Sequence, residues 1–250
     1  MTRFHITAAV ALLFGTVAWL TGSTALFIMV VAAFFVLTGL GVAIPQLRFF
    51  GPYICRGDAA HPCVALTFDD GPDAQSTPKL LDFLRDARVE AAFFCVGKRI
   101  AANPELAARI VREGHLLENH SYTHSNATNF FTVGRLKSEL TQTQAAIQEA
   151  SGAAAHLFRP PMGLSNPRVF RAAHALGLTV VGWTARGLDT RTRQPERIVH
   201  RIVRKLKPGA IVLLHDGGIP ADRLVATVKL LLDTVRARGY EVVRLDRMLK

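Results

Sequence analysis

Two adjacent carboxylates follow an apolar run early in the polar part of the chain. Asp69 and Asp70 come directly after the run CVALTF and before a Gly-Pro pair. Proline removes a backbone donor and glycine relaxes the turn, so a strand formed by the run must end here. Neighbouring like charges at one strand end are costly unless a cation or a proton is shared. The pair indicates a cation site, with a solvated turn as the alternative.

Two histidines four positions apart add a second ligand type. His120 and His124 follow the strand-like run HLLEN, and their spacing suits one cation if the segment turns helically. The inverse-helical metalloprotease pattern would need a glutamate where Ser121 stands. Two histidines and one aspartate make a three-ligand face with an open position, as catalytic zinc sites have.

Two further polar clusters follow apolar runs. Arg159 opens the sequence RPPMG, where an arginine could orient a carboxylate and a stiff turn could present a backbone N–H to an oxyanion. His215 ends the buried-strand pattern AIVLLH, and such a histidine is often only structural. Asp189, in GWTARGLDT, is a candidate partner that would hold His215 protonated.

These clusters need elements that bring them together. Beyond residue 61, brief apolar runs alternate with amphipathic runs, which predicts a parallel sheet covered by helices. The chain holds about seven such units, too few for a full eight-fold barrel. We therefore predict an α/β fold with a distorted or incomplete (β/α) barrel, and catalytic side chains at the carboxyl ends of its strands. The predicted strands are CVALTF, AAFFCV, HLLENH, LFRPP, LTVVGWT, AIVLLHD and YEVVRL.

The N-terminal part of the chain has a different character. Residues 4–47 contain no Asp, Glu, Lys or Arg, and two long apolar runs are separated by TGST. We predict a transmembrane segment over residues 1–47, with helices at about 6–20 and 25–44 forming a hairpin. A cleaved signal peptide and one long or kinked anchor are the alternatives. A connector over 48–61 and a catalytic domain over 62–250 complete the predicted organisation.

Charge and cysteine content narrow the function classes. Thirty Lys and Arg against nineteen Asp and Glu give a net charge of +11, but the basic residues are scattered without stacking aromatics, so we expect no nucleic-acid partner. Membrane lipid is the expected neighbour of this basic domain. Arg3, Arg48 and Arg56 flank the outer ends of the hairpin, which favours a bacterial-type inner membrane with the catalytic domain facing the cytoplasm. Cys55 and Cys63 could pair or stay as thiols.

Four of these motifs together resemble one known family. TFDDGP (67–72), HSYTH (120–124), RPPMG (159–163) and LLH (213–215) occur in the order and rough spacing of the NodB-type polysaccharide deacetylases, the family 4 carbohydrate esterases. The resemblance covers residues 62–245. It implies a distorted (β/α) barrel and metal-dependent hydrolysis of an N- or O-acetyl group on a sugar.

The resemblance also implies roles for individual residues. Asp69 matches the family's catalytic base and Arg159 the residue that tethers it. His215 matches the general acid, oriented by Asp189. The metal ligands, for a divalent ion that we expect to be zinc, correspond to Asp70, His120 and His124. Met162 takes the place usually held by a tyrosine whose backbone N–H helps to bind the oxyanion, and Leu213 is a wall of the acetyl pocket.

One family motif departs from its usual form. The pattern Asp-x-x-Asp-Trp is replaced by residues 186–190 (RGLDT), so Arg186 stands in place of an acid and an aromatic wall is missing. Arg186 could contact a phosphate-bearing glycolipid, or it could be solvated.

We expect a hydrolase that removes an N-acetyl group from an amino sugar in a polysaccharide or a lipid-linked glycan. The alternatives are a deformylase or another C–N hydrolase acting on a glycolipid, and a catalytically silent, membrane-tethered sugar-binding module. The silent module is disfavoured because all six polar positions of the motifs are present.

Overall fold

The computed structural model describes residues 1–58 and 61–249; residues 59 and 60 of the predicted connector and residue 250 lie outside them. Its strands are β1 (Cys63–Asp69), β2 (Ala92–Cys95), β3 (Leu116–Asn119), β4 (Leu157–Phe158), β5 (Thr179–Val180), β6 (Ala185–Arg186), β7 (Ala210–His215) and β8 (Glu241–Val242). In the described residues they form one parallel sheet in the order β5-β4-β3-β2-β1-β7-β6, and β8 pairs with the first residues of β1.

The sheet is curled but not closed. Strand β1 lies at its centre and all seven of its residues are buried, which explains the continuous apolar run in the sequence. Strands β5 and β6 stand at the two ends of the order. The segment before β1 pairs with the sheet at two isolated positions: Ile54 forms a parallel β-bridge with Val181, just after β5, and Arg56 forms an antiparallel β-bridge with Ala210 of β7. This open, curled (β/α) arrangement confirms the predicted distorted or incomplete barrel.

Helices cover the outer face of the sheet. They are α3 (Thr77–Asp86), α4 (Gly97–Ala102), α5 (Pro104–Arg112), α6 (Val133–Ser151), α7 (Pro167–His174), α8 (Pro195–Val203) and α9 (Ala221–Ala237). Their apolar faces and the strands share a buried core that includes Leu84, Ile110, Ile198 and Leu231. This packing holds the strand ends, and therefore the loops that follow them, in fixed positions.

Two further helices precede the sheet: α1 (Arg3–Leu20) and α2 (Thr24–Ala43). Both are long and apolar enough to cross a membrane, and most of their surface is exposed. A three-residue turn with Gly22 at φ +68° joins them, and the rings of Phe4 and Phe34 pack between them. By length and composition the pair could form a transmembrane hairpin.

The open end of this helix pair is attached to the domain. Arg3 Nη1 donates to the Leu47 carbonyl at 2.9 Å, and Phe4 N donates to the Phe49 carbonyl at 3.0 Å. Gln46 Nε2 donates to the backbone carbonyl of Trp183 at 2.8 Å, 137 positions further along the chain. The segment that leaves α2 is therefore hydrogen-bonded to the curled sheet beside β6.

Some local expectations were wrong. Helix α1 begins at Arg3 rather than near residue 6, because Thr2 caps it by accepting from His5 N. The single strand predicted for LTVVGWT is shorter than expected, since β5 covers only two residues. A second short strand, β6, follows it and pairs with β7, and no apolar run in the sequence indicates β6. Helix α4 was not predicted, since GKRIAA is too short to show a period. Cys55 and Cys63 are both buried free thiols, so the pairing left open does not occur here.

Candidate active site

The carboxyl ends of the parallel strands bring the sequence motifs to one edge of the sheet. Asp69 of β1 is in register with His215 of β7 and with Phe94 of β2. A cavity of about 370 Å³ opens at this edge. Nine of the ten predicted site residues line it: Asp69, Asp70, His120, His124, Met162, Arg186, Asp189, Leu213 and His215. The tenth, Arg159, is completely buried beneath the cavity.

The three candidate metal ligands converge from two loops. Asp70 Oδ1 lies 3.3 Å from His120 Nε2 and 3.1 Å from His124 Nε2. One potential ligand atom from each residue falls within 4.8 Å of the other two. The Oδ1 atom of Asp70 is buried and has no hydrogen-bond donor. A buried acceptor left unsatisfied between two imidazoles is an arrangement that a divalent cation would complete.

The orientation of His120 supports the same interpretation. Its Nδ1 lies 2.7 Å from the backbone carbonyl of Arg159. Because a carbonyl can only accept, Nδ1 must carry the proton, which leaves the Nε2 lone pair of the neutral ring facing Asp70. A histidine ligand whose other nitrogen donates to a carbonyl is the usual arrangement around a bound metal.

Nearby charges and burial shift the pKa values of the three candidate metal ligands. Burial alone would raise the pKa of Asp70, but the neighbouring imidazoles outweigh burial and hold the pKa well below its usual range. Burial and the nearby His120 lower the pKa of His124, which favours the neutral ring. Burial would also lower the pKa of His120, but the carboxylates of Asp69 and Asp70 raise it more strongly. The negative potential that attracts a proton to this ring would equally attract a cation.

The loop that carries the two histidines is not helical, so a helical turn is not what brings the two imidazoles together. Ser121 and His124 have left-handed backbone conformations, with φ of 64° and 49°. Glu139, on α6, accepts hydrogen bonds from the Tyr122 and Thr123 backbone N–H groups at 3.1 and 2.8 Å. These bonds replace the ones that a helix would supply, and they bring both imidazoles to Asp70.

Backbone strain is concentrated around this cavity. In the described part of the chain seven residues other than glycine have positive φ. Four of them line the cavity: Asp70, His124, Met162 and Leu188. Residues other than glycine adopt this conformation only when the surrounding structure imposes it, and such strain tends to collect at functional sites.

Arg159 fixes the orientation of Asp69. Its Nη1 lies 2.6 Å from Asp69 Oδ1 and also donates to Thr67 Oγ1, and its Nη2 donates to the Gly182 carbonyl at 2.8 Å. The guanidinium carbon lies 4.1 Å from the centre of the Phe94 ring. The side chain of Arg159 is fully buried, so these contacts are screened little by water. Asp69 Oδ2 is left free on the cavity side, 3.9 Å from His120 Nε2.

His215 and Asp189 form a second ion pair that lines the cavity. His215 Nδ1 lies 3.0 Å from Asp189 Oδ1, and His215 N donates to Asp189 Oδ2 at 2.8 Å. Burial alone would lower the pKa of His215. The hydrogen bond to Asp189 and the carboxylates of Asp69 and Asp70 outweigh burial and raise the pKa to about 9. The ring is therefore a cation near neutral pH.

The remaining wall is less polar at its base and basic at its rim. Met162 is 46% exposed with φ of 58°, and the next residue, Gly163, has no space for a Cβ because the Trp183 ring lies against it. Leu213 is buried and pairs in register with Arg186. Arg186 is exposed, and its guanidinium carbon lies 5.5 Å from the centre of the Trp183 ring.

Three residues of the site were missed in the sequence. Glu139 supports the histidine loop, and its position among Leu136, Leu140 and Ile147 on one face of α6 was a usable signal, since an acid on an apolar face needs partners. Trp183 and Arg191 also line the cavity. No pattern in the sequence distinguishes these two, because the turns that bring them there depend on the fold.

The comparisons with known proteins agree on one family. Residues 56–181 match the family model described as polysaccharide deacetylase. The chain is 35% identical to a peptidoglycan-N-acetylglucosamine deacetylase of Bacillus cereus, over 75% of this chain and 88% of that protein. It is 37% identical to a chitooligosaccharide deacetylase of a Bradyrhizobium species, over 74% of this chain and 84% of that protein.

A solved structure shares the fold. The family 4 carbohydrate esterase pseudoenzyme of Bacillus anthracis superposes with a TM-score of 0.73 and 27% identity, covering 82% of this chain and 71% of that one. Fold alone does not therefore separate active from inactive members. The matched family model, the two deacetylase relatives and the arrangement at the strand ends agree with one another. The chain belongs to the NodB-type polysaccharide deacetylases, the family 4 carbohydrate esterases, a family that includes deacetylases of peptidoglycan and of chitooligosaccharides.

Proposed function

We propose that this protein is a metal-dependent deacetylase that hydrolyses the N-acetyl group of an N-acetylhexosamine in a glycan. The observation that carries the proposal is that two proton-transfer groups and one candidate cation site line the same cavity. The free oxygen of Asp69 lies close to the ligand set of Asp70, His120 and His124. The cationic ring of His215 lines the same cavity. The deacetylase relatives supply the class of substrate.

The donor set suits zinc. Two imidazole nitrogens and one carboxylate oxygen are the ligands of many catalytic zinc sites that keep one position open. A divalent cation held by these residues would polarise the acetyl carbonyl and lower the pKa of the attacking water.

The side chains of the chain itself carry the proton transfers. Asp69 accepts a proton from the attacking water, because Arg159 occupies its other oxygen and keeps the carboxylate pointing into the cavity. The backbone N–H of Met162 donates to the developing oxyanion, a kind of interaction worth about 3 kcal/mol in other enzymes. His215, held protonated by Asp189, donates its proton to the departing amine. Leu213 provides an apolar wall for the acetyl methyl group.

We also propose that α1 and α2 anchor the enzyme in a bacterial inner membrane with the catalytic domain on the cytoplasmic side. Both helices have the length and composition of spanning segments. Arg3, Arg48 and Arg56 lie at the open end of the pair, and positive charge marks the cytoplasmic side of spanning helices. Labelling of single cysteines introduced at the turn and at the open end, in intact cells, tests the orientation. Labelling of the open end from outside would reverse it.

The direct test of the catalytic proposal uses the full-length chain in detergent. Metal content is measured first, and acetate release from N-acetylglucosamine oligomers is then followed with and without a chelator. We expect about one divalent ion per chain and acetate release that the chelator abolishes and added zinc restores. The variant His124→Ala should lose both metal and activity. His174→Ala, which removes an exposed histidine at the end of α7, is the matched control and should keep both.

A second candidate function is that of a silent sugar-binding module, since one structural neighbour is a pseudoenzyme. Stoichiometric metal without release of acetate or formate from any amino-sugar substrate would favour it. Release of formate but not acetate would instead indicate a deformylase, because the same attack on an amide carbonyl serves both acyl groups.

A further inference from the structure

We infer that an arginine-lined cavity beside the candidate active site binds a phosphate or pyrophosphate group attached to the acetylated sugar. This inference rests on the proposed function, because it concerns the substrate of the same site. The cavity has a volume of about 320 Å³. It is lined by Arg191, Thr192, Arg193, Gln194, Arg197 and Arg201.

The segment that forms the arginine cavity has a large excess of positive charge. Residues 186–207 contain eight Lys and Arg but only two acidic residues. One of those acids, Asp189, is already paired with His215. Among the described residues, no carboxylate lies within ion-pair distance of Arg191, Arg193, Arg197 or Arg201. Four guanidinium groups around one cavity repel each other, and an anion with several oxygens would relieve that repulsion and accept their hydrogen bonds.

One arginine of the cavity is held in place. Arg201 is half-buried on α8, and its Nη1 donates to Thr192 Oγ1 at 2.6 Å. This bond ties the helix to the loop that carries Arg191 and Arg193. The cavity therefore has at least one pre-oriented donor, which lowers the entropic cost of binding an anion.

The arginine cavity is connected to the candidate active site through Arg191, which lines both. Leu188, with φ of 56°, accepts hydrogen bonds from the Arg191 and Thr192 backbone N–H groups at 3.0 and 2.8 Å. This tight turn also contains Asp189, the partner of His215. A phosphate bound by the arginines would therefore lie beside a sugar held in the active site, as it would if both belonged to one molecule.

The helix pair suggests where such a phosphate originates. Gln46, just beyond α2, is hydrogen-bonded to the Trp183 carbonyl, and Trp183 lines the candidate active site. If α1 and α2 span a membrane, the active site lies close to the membrane surface. Among the described residues beyond residue 44, the two exposed large apolar side chains are Phe130 and Met162, and Met162 lines the active-site cavity. These features favour a phosphate that joins the sugar to a membrane lipid.

The experiment compares four N-acetylglucosamine derivatives with the full-length chain in detergent. They are the methyl glycoside, the methyl phosphodiester, the octyl glycoside and the octyl phosphodiester, so phosphate and alkyl chain vary independently. We expect the phosphate to raise kcat/KM for acetate release by on the order of tenfold in both pairs, as charge-assisted hydrogen bonds would. High salt should reduce this advantage, because Arg191, Arg193 and Arg197 are exposed.

Paired variants identify the residues responsible. Arg193→Gln combined with Arg197→Gln, two exposed residues that line the arginine cavity but not the active-site cavity, should remove most of the phosphate advantage and leave the rate on the methyl glycoside unchanged within about twofold. The matched control is Arg238→Gln, an exposed arginine at the C-terminal end of α9, which lies away from the strand ends that form the site. An equal phosphate advantage in the double variant and the wild type would overturn the inference.

The outcomes separate this inference from the proposed function. Chelator-sensitive acetate release with no preference for phosphate overturns the arginine cavity and leaves the deacetylase intact. If no derivative is hydrolysed, the proposed function fails, and calorimetric binding of the octyl phosphodiester to wild type and double variant still decides the arginine cavity. A further gain in kcat/KM from the octyl chain, seen when the octyl and methyl phosphodiesters are compared, indicates a lipid-linked sugar. No gain from the octyl chain indicates a soluble phosphosugar or a phosphate-bearing polymer.

Discussion

The two walls of the candidate active site are built in opposite ways. On one wall Asp69, His120 and Arg159 are almost fully buried, and their polar atoms meet each other or the backbone at short distances. On the other wall Arg186 and Arg191 are exposed and, among the described residues, face no carboxylate within ion-pair distance. A buried ionic network is costly to alter, while exposed charges are nearly free to change. This contrast suggests that the first wall carries the reaction and the second selects the substrate.

His215 connects the two walls. It ends β7 next to Asp69 in the sheet, yet its partner Asp189 belongs to the same turn as Arg191. The family model matches residues 56–181, which include the buried wall and exclude both members of this pair. The connection would allow a substrate group bound at the arginines to be placed relative to His215, the proposed proton donor.

The largest expected effect tests the buried wall. Asp69→Asn should lower kcat by about a thousandfold, because the amide cannot accept the proton of the attacking water. The variant should still bind one metal ion, since the proposed ligands are Asp70, His120 and His124. Acetate release and metal content are measured on the same sample. A variant with near wild-type turnover would show that Asp69 is not the base, and a folded variant without metal would make it a ligand instead.

The second prediction compares the stability of the two walls. Arg159→Met leaves the Asp69 carboxylate buried without its partner, and we expect the free energy of unfolding to fall by about 3–5 kcal/mol. Arg191→Met, on the exposed wall, should change it by less than about 0.5 kcal/mol. Chemical denaturation of full-length chains in one detergent measures both.

The double variant Asp69→Asn with Arg159→Met sharpens this comparison. It removes both charges, so it should recover part of the stability lost in Arg159→Met alone. Similar losses for Arg159→Met and Arg191→Met would contradict the contrast between the walls.

The contrast also explains what could be predicted from the sequence. Asp69 and Asp70 are neighbours in the chain, and His120 and His124 lie in one short loop, so local motifs reveal the buried wall. Glu139, which holds that loop, is contributed by a separate helix, and its role depends on how α6 packs. The left-handed conformations of Ser121 and His124 could not be predicted either, because the spacing of His120 and His124 does not determine the backbone conformation between them.

The exposed wall was harder to predict because its geometry depends on long-range contacts. Arg186 was recognised only as a departure from a family motif. Its position against Trp183, and the presence of Arg191 in two cavities, follow from strand β6 and the turn after it, neither of which has an apolar pattern. The overall curled sheet was predictable because its central strands are long and continuously buried, while the two-residue strands at its edges carry little signal.

The third prediction concerns the proton donor that joins the walls. The pKa of His215 is raised to about 9, so the ring stays protonated below that pH. Asp189→Asn removes the hydrogen-bonded anion that raises this pKa. The alkaline limb of the kcat profile should move to lower pH, with a loss of about tenfold on its alkaline side. Asp222→Asn removes an exposed carboxylate on α9 and serves as the control. An unchanged alkaline limb in Asp189→Asn would assign the limb to another group.

The ion pair of His215 and Asp189 also predicts how the free energy of unfolding changes with pH. A histidine whose pKa is higher in the folded than in the unfolded state stabilises the fold fully below its unfolded pKa, about 6.5. That contribution disappears as the pH rises through the folded value of about 9. The wild type should therefore lose stability relative to Asp189→Asn between these two values, when unfolding is measured at each pH in one detergent.

The smallest expected effect is on kcat/KM in a Met162 variant, which tests whether the backbone N–H or the side chain of this residue contributes to the reaction. The proposed contribution of this residue is its backbone N–H, which the left-handed conformation at φ 58° orients, and its side chain is 46% exposed. Met162→Ala keeps that backbone, so kcat/KM on a neutral N-acetylglucosamine oligomer should change by no more than about twofold. Gly163→Ala, in contrast, places a methyl group against the Trp183 ring and should displace the turn. If Met162→Ala instead lowered kcat/KM tenfold, the side chain of Met162 as well as its backbone N–H would contact the substrate, and this contact would not depend on a phosphate group.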